Sequence, residues 1–376
     1  MNIVFIVDTY NNASGGSIAT KRLVEELRKR NHNVKVVGAV NDDVNDPDFY
    51  NVPGFNLPLG KSTQENLNFK LGIGKKEVLQ KAMQDADIVQ IQFPFLLGKA
   101  AVKIAKDVGI PVIGSFHVQP QNLLFAVGLQ NKFFENIIWI IFKYLLFNRV
   151  KTIISPSVFA SNLLKSQGVK ANHISIPNGI TSEYINDNNI EPKSLENEFV
   201  IVSIGRFSSE KRHSLIIDAI KKSIYKDKIK LILIGSGVLK DSLIKQSEDL
   251  PVKPMIGYVN DTDKIKYLNT SDLYIHSSLI ELESLSTAEA IGCGLPCLIS
   301  NSKDSAASQF AVDNRFIFEA GNIEDLTTKI NYWYENREEL SSNGLKNKVI
   351  GLASEYKFDK SVGKYENIYS SLIKSN

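Results

Sequence analysis

The stretch FVIVSIGRF (199–207), followed by a helical segment and then IKLILIGSG (229–237), decides which fold this sequence favours. Both runs are rich in Val, Leu and Ile and are apolar on both faces, which is typical of parallel strands that helices cover on two sides. We therefore predict doubly wound α/β architecture. The predicted strands are 2–8, 33–40, 87–94, 111–117 and 152–157 in the first half, and 199–207, 229–237, 273–278 and 296–300 in the second.

Two domains are expected, because 376 residues are too many for one ordinary hydrophobic core. The polar, turn-rich stretch NGITSEYINDNNIEPKSLENE separates the two sets of strands and is typical of a linker. We predict an N-terminal domain over 1–183 and a C-terminal domain over 184–355. The remaining residues, 356–376, have the apolar spacing of an amphipathic helix.

Composition indicates a soluble globular protein, with 43% hydrophobic and 23% charged residues. The net charge of +3 is too small to argue for nucleic acid, and we predict no such partner. Residues 99–170 carry nine basic residues against Asp107 and Glu135. This local excess suits an anionic membrane surface, a phospholipid or a diphosphate lipid, and an ordinary solvated surface is an equally open interpretation.

The two cysteines, Cys293 and Cys297, indicate a reducing compartment and lack the further ligands of a zinc site. We expect both to be buried core residues. The N-terminus, MNIVFIVDTY, leads directly into a strand without a basic segment, so no signal peptide is predicted. The expected location is the cytoplasm.

The segment FFENIIWIIFKYLLF (133–147) has twelve apolar residues in fifteen, distributed around the whole helix. It is too short to span a bilayer, and it contains Glu135 and Lys143. A helix of this kind is either buried or in contact with lipid. The pattern favours burial against the domain's own sheet, with an interfacial role as the alternative.

Candidate site residues follow the predicted strands, because open α/β sheets bind ligands beyond the carboxyl ends of their strands. Gly16 precedes a helix after the first strand, where a phosphate can approach the backbone, although a plain turn explains a Gly-Gly pair as well. His117 ends the strand 111–117. Arg206 and Lys211 lie across a turn that opens a helix, and together they could clamp a diphosphate.

Two carboxylates, Glu281 and Glu289, bracket the beginning of another predicted helix. Glu281 follows the strand 273–278 and should reach the ligand. Glu289 could accept hydrogen bonds from vicinal hydroxyls, or Ser286 and Glu289 could form a capping box with a purely structural role. The residues between the acids, 284–286, would offer backbone N–H groups to phosphate.

The order and spacing of these motifs resemble the retaining glycosyltransferases of glycosyltransferase family four, which have the GT-B fold. The resemblance covers nearly the whole chain. It is carried by GGSIATKRLVEEL, FHVQP, GRFSSEK, LILIGSGVLKDSL, IGYV, and the pair of glutamates that leads into EAIGCGLP. It implies two Rossmann-like domains that face each other across a cleft, with helix 356–376 crossing back to pack on the N-terminal domain.

The resemblance also implies roles for individual residues. Arg206 and Lys211 would hold the donor diphosphate, and Glu281 and His117 would contact the sugar; these four form the predicted catalytic set. The predicted substrate-binding residues would contact the other parts of the donor. They are Gly16, Ser284, Leu285 and Ser286 for the phosphates, Glu289 for the ribose, and Tyr258 and Val259 for the base.

The implied function is transfer of a hexose from a nucleotide sugar, expected to be UDP-linked, to a lipid or cell-surface glycan precursor. The enzyme would work on the inner face of the membrane without a cofactor or metal, because Arg206 and Lys211 supply positive charge. We interpret the Asp-x-Asp triplets at 46–48, 85–87 and 261–263 as structural. The alternative is a noncatalytic partner subunit, which should have lost this clamp or Glu281.

The chain departs from the family pattern at three positions. Glu283 and Ser284 stand where many members have an aromatic residue and a glycine, and Ser277 stands where proline is usual. A third acid near a diphosphate is unfavourable unless Glu283 points away from it.

Overall fold

The computed structural model describes residues 1–8, 10, 14–40, 44–56, 70–185 and 198–375. They form two compact units: unit 1 comprises Met1–Asn178 and Lys360–Asn376, and unit 2 comprises Gly179–Asp359. The sequence places the division at residues 183 and 184, and the structure places it after Asn178. Residues 186–197 of the predicted linker lie outside the described residues.

Unit 1 is built on a seven-stranded parallel sheet with the order β3-β2-β1-β6-β7-β8-β9. A two-stranded antiparallel ribbon, β4 with β5, accompanies it. The strands are β1 (Asn2–Val7), β2 (Asn33–Gly38), β3 (Phe49–Asn51), β4 (Gly54–Phe55), β5 (Leu71–Gly72), β6 (Ile88–Ile91), β7 (Val112–Ser115), β8 (Thr152–Ser155) and β9 (Asn172–Ser175).

Helices follow most of these strands, as expected for a doubly wound sheet. They are α1 (Gly15–Lys29), α2 (Lys76–Met83), α3 (Leu96–Asp107), α4 (Pro120–Ala126), α5 (Lys132–Phe142) with a π-helical turn over Lys143–Phe147, and α6 (Val158–Ser166). The last helix of the chain, Phe358–Lys374, also packs on unit 1. Its Tyr369 hydroxyl donates to Gln90 Oε1, and Glu366 accepts a hydrogen bond of 2.9 Å from Arg30.

Unit 2 contains a six-stranded parallel sheet with the order β12-β11-β10-β13-β15-β17 and a two-stranded parallel ribbon, β14 with β16. Buried apolar clusters lie on both faces of the larger sheet. The strands are β10 (Phe199–Ile204), β11 (Ile229–Ile234), β12 (Met255–Gly257), β13 (Leu273–His276), β14 (Ile280–Glu281), β15 (Cys297–Ser300), β16 (Asp304–Ser305) and β17 (Ile317–Phe318). The helices are α7 (His213–Lys222), α8 (Lys240–Gln246), α9 (Asp261–Thr270), α10 (Leu285–Gly292), α11 (Ile323–Glu335), α12 (Arg337–Leu340) and α13 (Asn343–Ser354), which precede α14 (Phe358–Lys374).

All nine predicted strands are present, which confirms the α/β fold class. Among the strands of the two large sheets, the sequence missed β3, β9, β12 and β17, and these four are the sheet edges. Edge strands are short and have one unpaired side, so they lack the continuous apolar run that marks a central strand. The expectation that Cys293 and Cys297 are buried is also confirmed.

The prediction that the apolar helix 133–147 is buried is wrong for one of its faces. Trp139 and Phe142 point into the core, but Phe133 and Ile140 remain 66% and 62% exposed. The sequence pattern could not separate these faces, because apolar residues occupy both. In the described parts of the chain, no helix combines the length and the apolar character that crossing a membrane requires.

Candidate active site

An ion pair between Lys211 and Glu281 forms the centre of the site in unit 2. Lys211 ends a 3₁₀ turn, Ser209–Lys211, that follows β10. Glu281 belongs to β14, where its carbonyl accepts a hydrogen bond of 2.9 Å from the Ala306 backbone N–H. The Lys211 ammonium donates to Glu281 Oε1, although the two residues are far apart in the sequence. The structure therefore brings together two of the four predicted catalytic residues.

His276 is a third member of this cluster, and the sequence analysis missed it. It ends β13, is 3% exposed, and places Nε2 at 3.3 Å from Glu281 Oε1. Its ring stacks on Tyr274 with a centroid distance of 6.3 Å. Burial by itself would raise the pKa of Glu281, but Lys211 and His276 outweigh burial and hold that pKa well below its ordinary value. Glu281 is therefore a carboxylate at neutral pH.

Ser277, directly after β13, connects the strand end to the turn that carries Lys211. Its hydroxyl donates to the Lys211 carbonyl at 2.8 Å. Two residues further on, the Leu279 backbone N–H donates to the Glu210 carbonyl at 2.9 Å. This hydrogen bond helps to fix the position of Lys211, and a side chain without a donor at position 277 could not form it.

Arg206 lies near the same turn but contacts a different carboxylate. Its Nη2 is 3.3 Å from Glu210 Oε1, and its side chain is 40% exposed. Glu210 is buried and also accepts a hydrogen bond of 2.6 Å from the Ser208 hydroxyl. Glu210 thereby holds one side of the Arg206 guanidinium, and the side chain stays partly exposed to solvent.

The capping-box interpretation of Glu289 is wrong. Helix α10 begins at Leu285, and its N-cap is Ser284, whose hydroxyl accepts from the Thr287 backbone N–H at 3.4 Å. Ser284 has φ of 89°, a conformation that glycine adopts at little cost. The hydroxyl of Ser284 caps the helix, which offsets part of the cost of this backbone conformation. The other two predicted phosphate contacts, Leu285 and Ser286, occupy the first turn of α10.

Glu289 lies one turn further along α10 and is buried. Its Oε2 is 3.3 Å from Lys264 Nζ, which also lies 5.0 Å from the centre of the Tyr184 ring. Burial would lower the pKa of Lys264, but Glu289 and its other neighbours outweigh burial and raise that pKa. The sequence did not indicate Lys264 as a site residue, because its ion pair with Glu289 exists only in the folded unit.

The remaining predicted residues of unit 2 have contrasting environments. Tyr258 is 78% exposed, as a side chain available for stacking on a base would be. Val259 packs against the buried cluster on one face of the sheet. Glu283 is buried, and its charge contributes, after burial, to raising the pKa of Tyr356.

In unit 1, the two predicted site residues lie in direct contact. Gly16 is in the first turn of α1, whose N-cap is Ser14, and His117 follows β7. A Cβ atom added to Gly16 would lie 2.8 Å from His117 Cβ and 3.4 Å from the Phe93 ring. Burial lowers the pKa of His117 to about 4, so its imidazole is neutral at physiological pH and can donate a hydrogen bond from only one nitrogen.

Asp8, directly after β1, is a buried carboxyl group that the sequence analysis did not select. Its Oδ1 accepts a hydrogen bond of 2.9 Å from the Gly72 backbone N–H. Among the described residues, its Oδ2 has no hydrogen-bond partner. Burial raises the pKa of Asp8 to about 7, against the weaker lowering effect of its backbone hydrogen bonds.

As pH rises, the wild type should lose stability because Asp8 ionises while buried, and Asp8→Asn should not show this loss. The folded-state pKa lies above the unfolded one, so the carboxyl group favours the folded state at low pH, and this contribution is lost between about pH 4 and pH 7. We expect the variant to gain roughly 3 kcal/mol relative to the wild type across that interval. Urea unfolding at pH 4.5, 6 and 8 measures the difference. Parallel stability profiles for the two proteins would contradict the burial effect.

The three Asp-x-Asp triplets have local structural contacts. Asp46 pairs with Arg28 at 2.9 Å, Asp87 Oδ2 accepts from the Asn2 backbone N–H at 2.6 Å, and Asp261 pairs with Lys264 at 2.9 Å. Each triplet thus has at least one carboxylate engaged within its own unit.

Both halves of the chain match known protein families. Residues 185–348 match the family described as Glycosyl transferases group 1, and residues 13–184 match Glycosyltransferase Family 4. An alpha-monoglucosyldiacylglycerol synthase of Streptococcus pneumoniae is 25% identical over 79% of this chain and 70% of its own length. A synthase of the same name from Acholeplasma laidlawii is 24% identical over 96% of this chain and 95% of its own. The fold matches that of Anabaena Alr3699/HepE, solved in complex with UDP-glucose, with a TM-score of 0.75 and 17% identity over 99% of this chain and 100% of that one.

Proposed function

The chain belongs to glycosyltransferase family 4, whose two domain families together match residues 13–348, and on this premise we propose a specific reaction. It transfers a hexose from a UDP-linked sugar to a lipid or cell-surface glycan precursor, with retention of the anomeric configuration. The observation that carries the proposal is the cluster of Lys211, Glu281 and His276 beyond the carboxyl end of β13.

The acceptor class is supported by the relatives. Two proteins that align over most of the chain are named alpha-monoglucosyldiacylglycerol synthases. We extend to this chain the use of a membrane lipid as acceptor, and we place the enzyme on the cytoplasmic face of the membrane as a peripheral protein. The basic segment 99–170 is consistent with that location, because cations attract the anionic leaflet.

Bond cleavage leaves negative charge on the departing diphosphate. We assign Lys211 and Arg206 to stabilise that charge, Lys211 as a point charge and Arg206 as a planar guanidinium. The first turn of α10 adds backbone donors at Leu285 and Ser286. These donors supply the positive potential that a metal supplies elsewhere, so we propose that the reaction requires no metal or cofactor.

The low pKa of Glu281 bears on the route of the reaction. A carboxylate whose pKa is held this low is a poor general base near neutral pH. We therefore assign Glu281 to hydrogen bonding with the donor sugar and not to proton abstraction. The proton of the attacking acceptor hydroxyl would instead pass to an oxygen of the departing phosphate on the same face of the sugar, which preserves the anomeric configuration.

The rest of the donor is assigned to the other predicted residues. The buried carboxylate of Glu289, oriented by Lys264, would accept hydrogen bonds from the ribose hydroxyls. Tyr258 and Val259 would contact the base. In unit 1, Gly16 would approach the phosphates and the neutral imidazole of His117 would donate to the sugar.

Release of nucleoside diphosphate tests the proposal directly. We would supply UDP-, GDP- and ADP-sugars with and without diacylglycerol-based acceptors, and compare the wild type with Glu281→Gln. The expected result is release from a UDP-sugar that an acceptor lipid stimulates and that Glu281→Gln reduces roughly 100-fold. EDTA should leave the rate unchanged.

Lys222→Ala is a matched control, because Lys222 pairs with Glu324 on the surface of the same unit, away from the cluster. Its rate should equal that of the wild type. Nucleotide binding without release from any donor would refute the transferase reaction and support a noncatalytic subunit.

A further inference from the structure

The outer side of helix α5 and of the π-helical turn that follows it presents a continuous apolar surface, which we call the α5 face. Its members have exposed fractions between 37% and 66%. At 100° per residue they fall within an arc of roughly 120°. They are Phe133, Phe134, Ile137, Ile140, Ile141 and Tyr144.

This surface stands out from the rest of the described chain. Sixteen large apolar residues there are exposed, and the α5 face with Leu129 just before it accounts for seven of them. Single exposed apolar residues are normal, but a contiguous group on a soluble protein marks a surface that another apolar body covers.

The inner side of the same helix is already fully packed. Trp139 and Phe142 contact each other edge to face at 6.3 Å, and Trp139 also meets Phe116 at 5.7 Å. Glu135, the acid on this helix, is buried and pairs with Lys132 at 2.6 Å. The helix is therefore anchored without its outer side, and substitutions on the α5 face should leave the fold intact.

Cations border the α5 face at both ends. Lys132, 71% exposed, lies at its beginning. At its end, Lys99 Nζ lies 4.4 Å and the Arg149 guanidinium 4.9 Å from the centre of the Tyr144 ring. Lys99 also donates to the Tyr144 hydroxyl at 3.1 Å.

The apolar residues and the cations at their ends together indicate which partner binds this surface. An apolar strip bordered by cations matches the interface of a bilayer that contains anionic phospholipid. A second copy of the chain would bring the same cations against each other in a two-fold symmetric contact, which is electrostatically unfavourable. The helix is too short to span a bilayer, so it can only lie in the plane of the interface.

We propose that the α5 face is the membrane-docking surface of this protein, with Phe133 and Ile140 inserted among the acyl chains and Lys99, Lys132 and Arg149 against anionic headgroups. The proposal rests on the proposed function in that it names where a transferase with a lipid acceptor meets the bilayer. It follows that membrane binding and donor chemistry use separate residues.

Sedimentation with vesicles tests the proposal. The probes are vesicles of phosphatidylcholine alone and of phosphatidylcholine with phosphatidylglycerol, each at low and high salt. The wild type should bind the anionic vesicles, and high salt should weaken this binding because it screens the headgroup charge. Phe133→Ser combined with Ile140→Ser should reduce binding at least about tenfold, since each loses most of its apolar transfer energy.

A matched control comes from exposed apolar residues elsewhere. Val158 and Ile224 are 65% and 73% exposed, so Val158→Ser with Ile224→Ser replaces two apolar residues of similar exposed fraction that are not part of the α5 face. This control should bind as the wild type does. A wild type that ignores anionic vesicles, or equal losses in the two double variants, would overturn the docking assignment. So would a wild-type dimer in light scattering that the α5 variant converts to monomer.

A second readout separates this proposal from the proposed function. With a short-chain acceptor dispersed in detergent, the Phe133 and Ile140 double variant should release nucleoside diphosphate at the wild-type rate. Loss of that activity would place the α5 face in catalysis and refute a docking role. Wild-type activity on the dispersed acceptor without any vesicle binding would refute the docking surface and leave the transferase reaction standing.

Discussion

Lys211→Ala should lower the rate of hexose transfer roughly 1,000-fold, the upper end of what one preorganised donor contributes to a developing anion. The ammonium both faces the departing diphosphate in the proposed reaction and holds Glu281 in place. The measurement is kcat/KM for nucleoside diphosphate release with an acceptor lipid. Lys222→Ala, which breaks an exposed ion pair in the same unit, should change neither the rate nor the stability.

The same substitution should destabilise unit 2, because it leaves the mostly buried Glu281 carboxylate, 14% exposed, without the ammonium that balances its charge. Among the described residues, His276 is its other ion-pair partner. Breaking one partner of such a pair costs about 3 kcal/mol. The pKa of Glu281 should rise, since burial is then less opposed. The double variant Lys211→Ala with Glu281→Gln removes the unpaired charge and should recover most of the stability but none of the activity.

That contrast separates the chemical role of Lys211 from its structural one. If the double variant recovered activity together with stability, the lysine would act only by holding the fold. If Lys211→Ala were as stable as the wild type, the ion pair would contribute nothing to folding.

Gly16→Ala should reduce transfer between roughly 10- and 100-fold, because its new methyl group would lie 2.8 Å from His117 Cβ and force the imidazole to shift. The measurement is the transfer rate at saturating donor. Gly363→Ala is the matched control, since a Cβ at this helical position in unit 1 meets no atom within 4 Å. That variant should keep full activity and gain a little stability.

A double-mutant cycle shows whether the effect passes through His117. If the methyl group acts by displacing the imidazole, Gly16→Ala should cost little more once His117→Ala has removed the ring. Equal losses in the two backgrounds would instead indicate that Gly16 matters through its own backbone, as a direct phosphate contact.

The sequence by itself determined the α/β class, the central strands of both sheets and the positions that follow them. These properties are local, because a buried parallel strand must be apolar along its length and a ligand-binding loop must follow its carboxyl end. Lys211 and Glu281 could be named in advance for this reason. The edge strands could not, because an edge strand needs neither length nor a continuous apolar run.

Only the tertiary structure decided which side chains meet and which sides of the helices are covered. His276 with Glu281 and Lys264 with Glu289 are pairs that the topology creates between separate elements, and no spacing along the chain encodes them. The helix at 132–142 is apolar on all sides, so its sequence is the same whether the outer side is buried or exposed. Burial depends on what else in the fold reaches that side, and a periodic pattern contains no information about its neighbours.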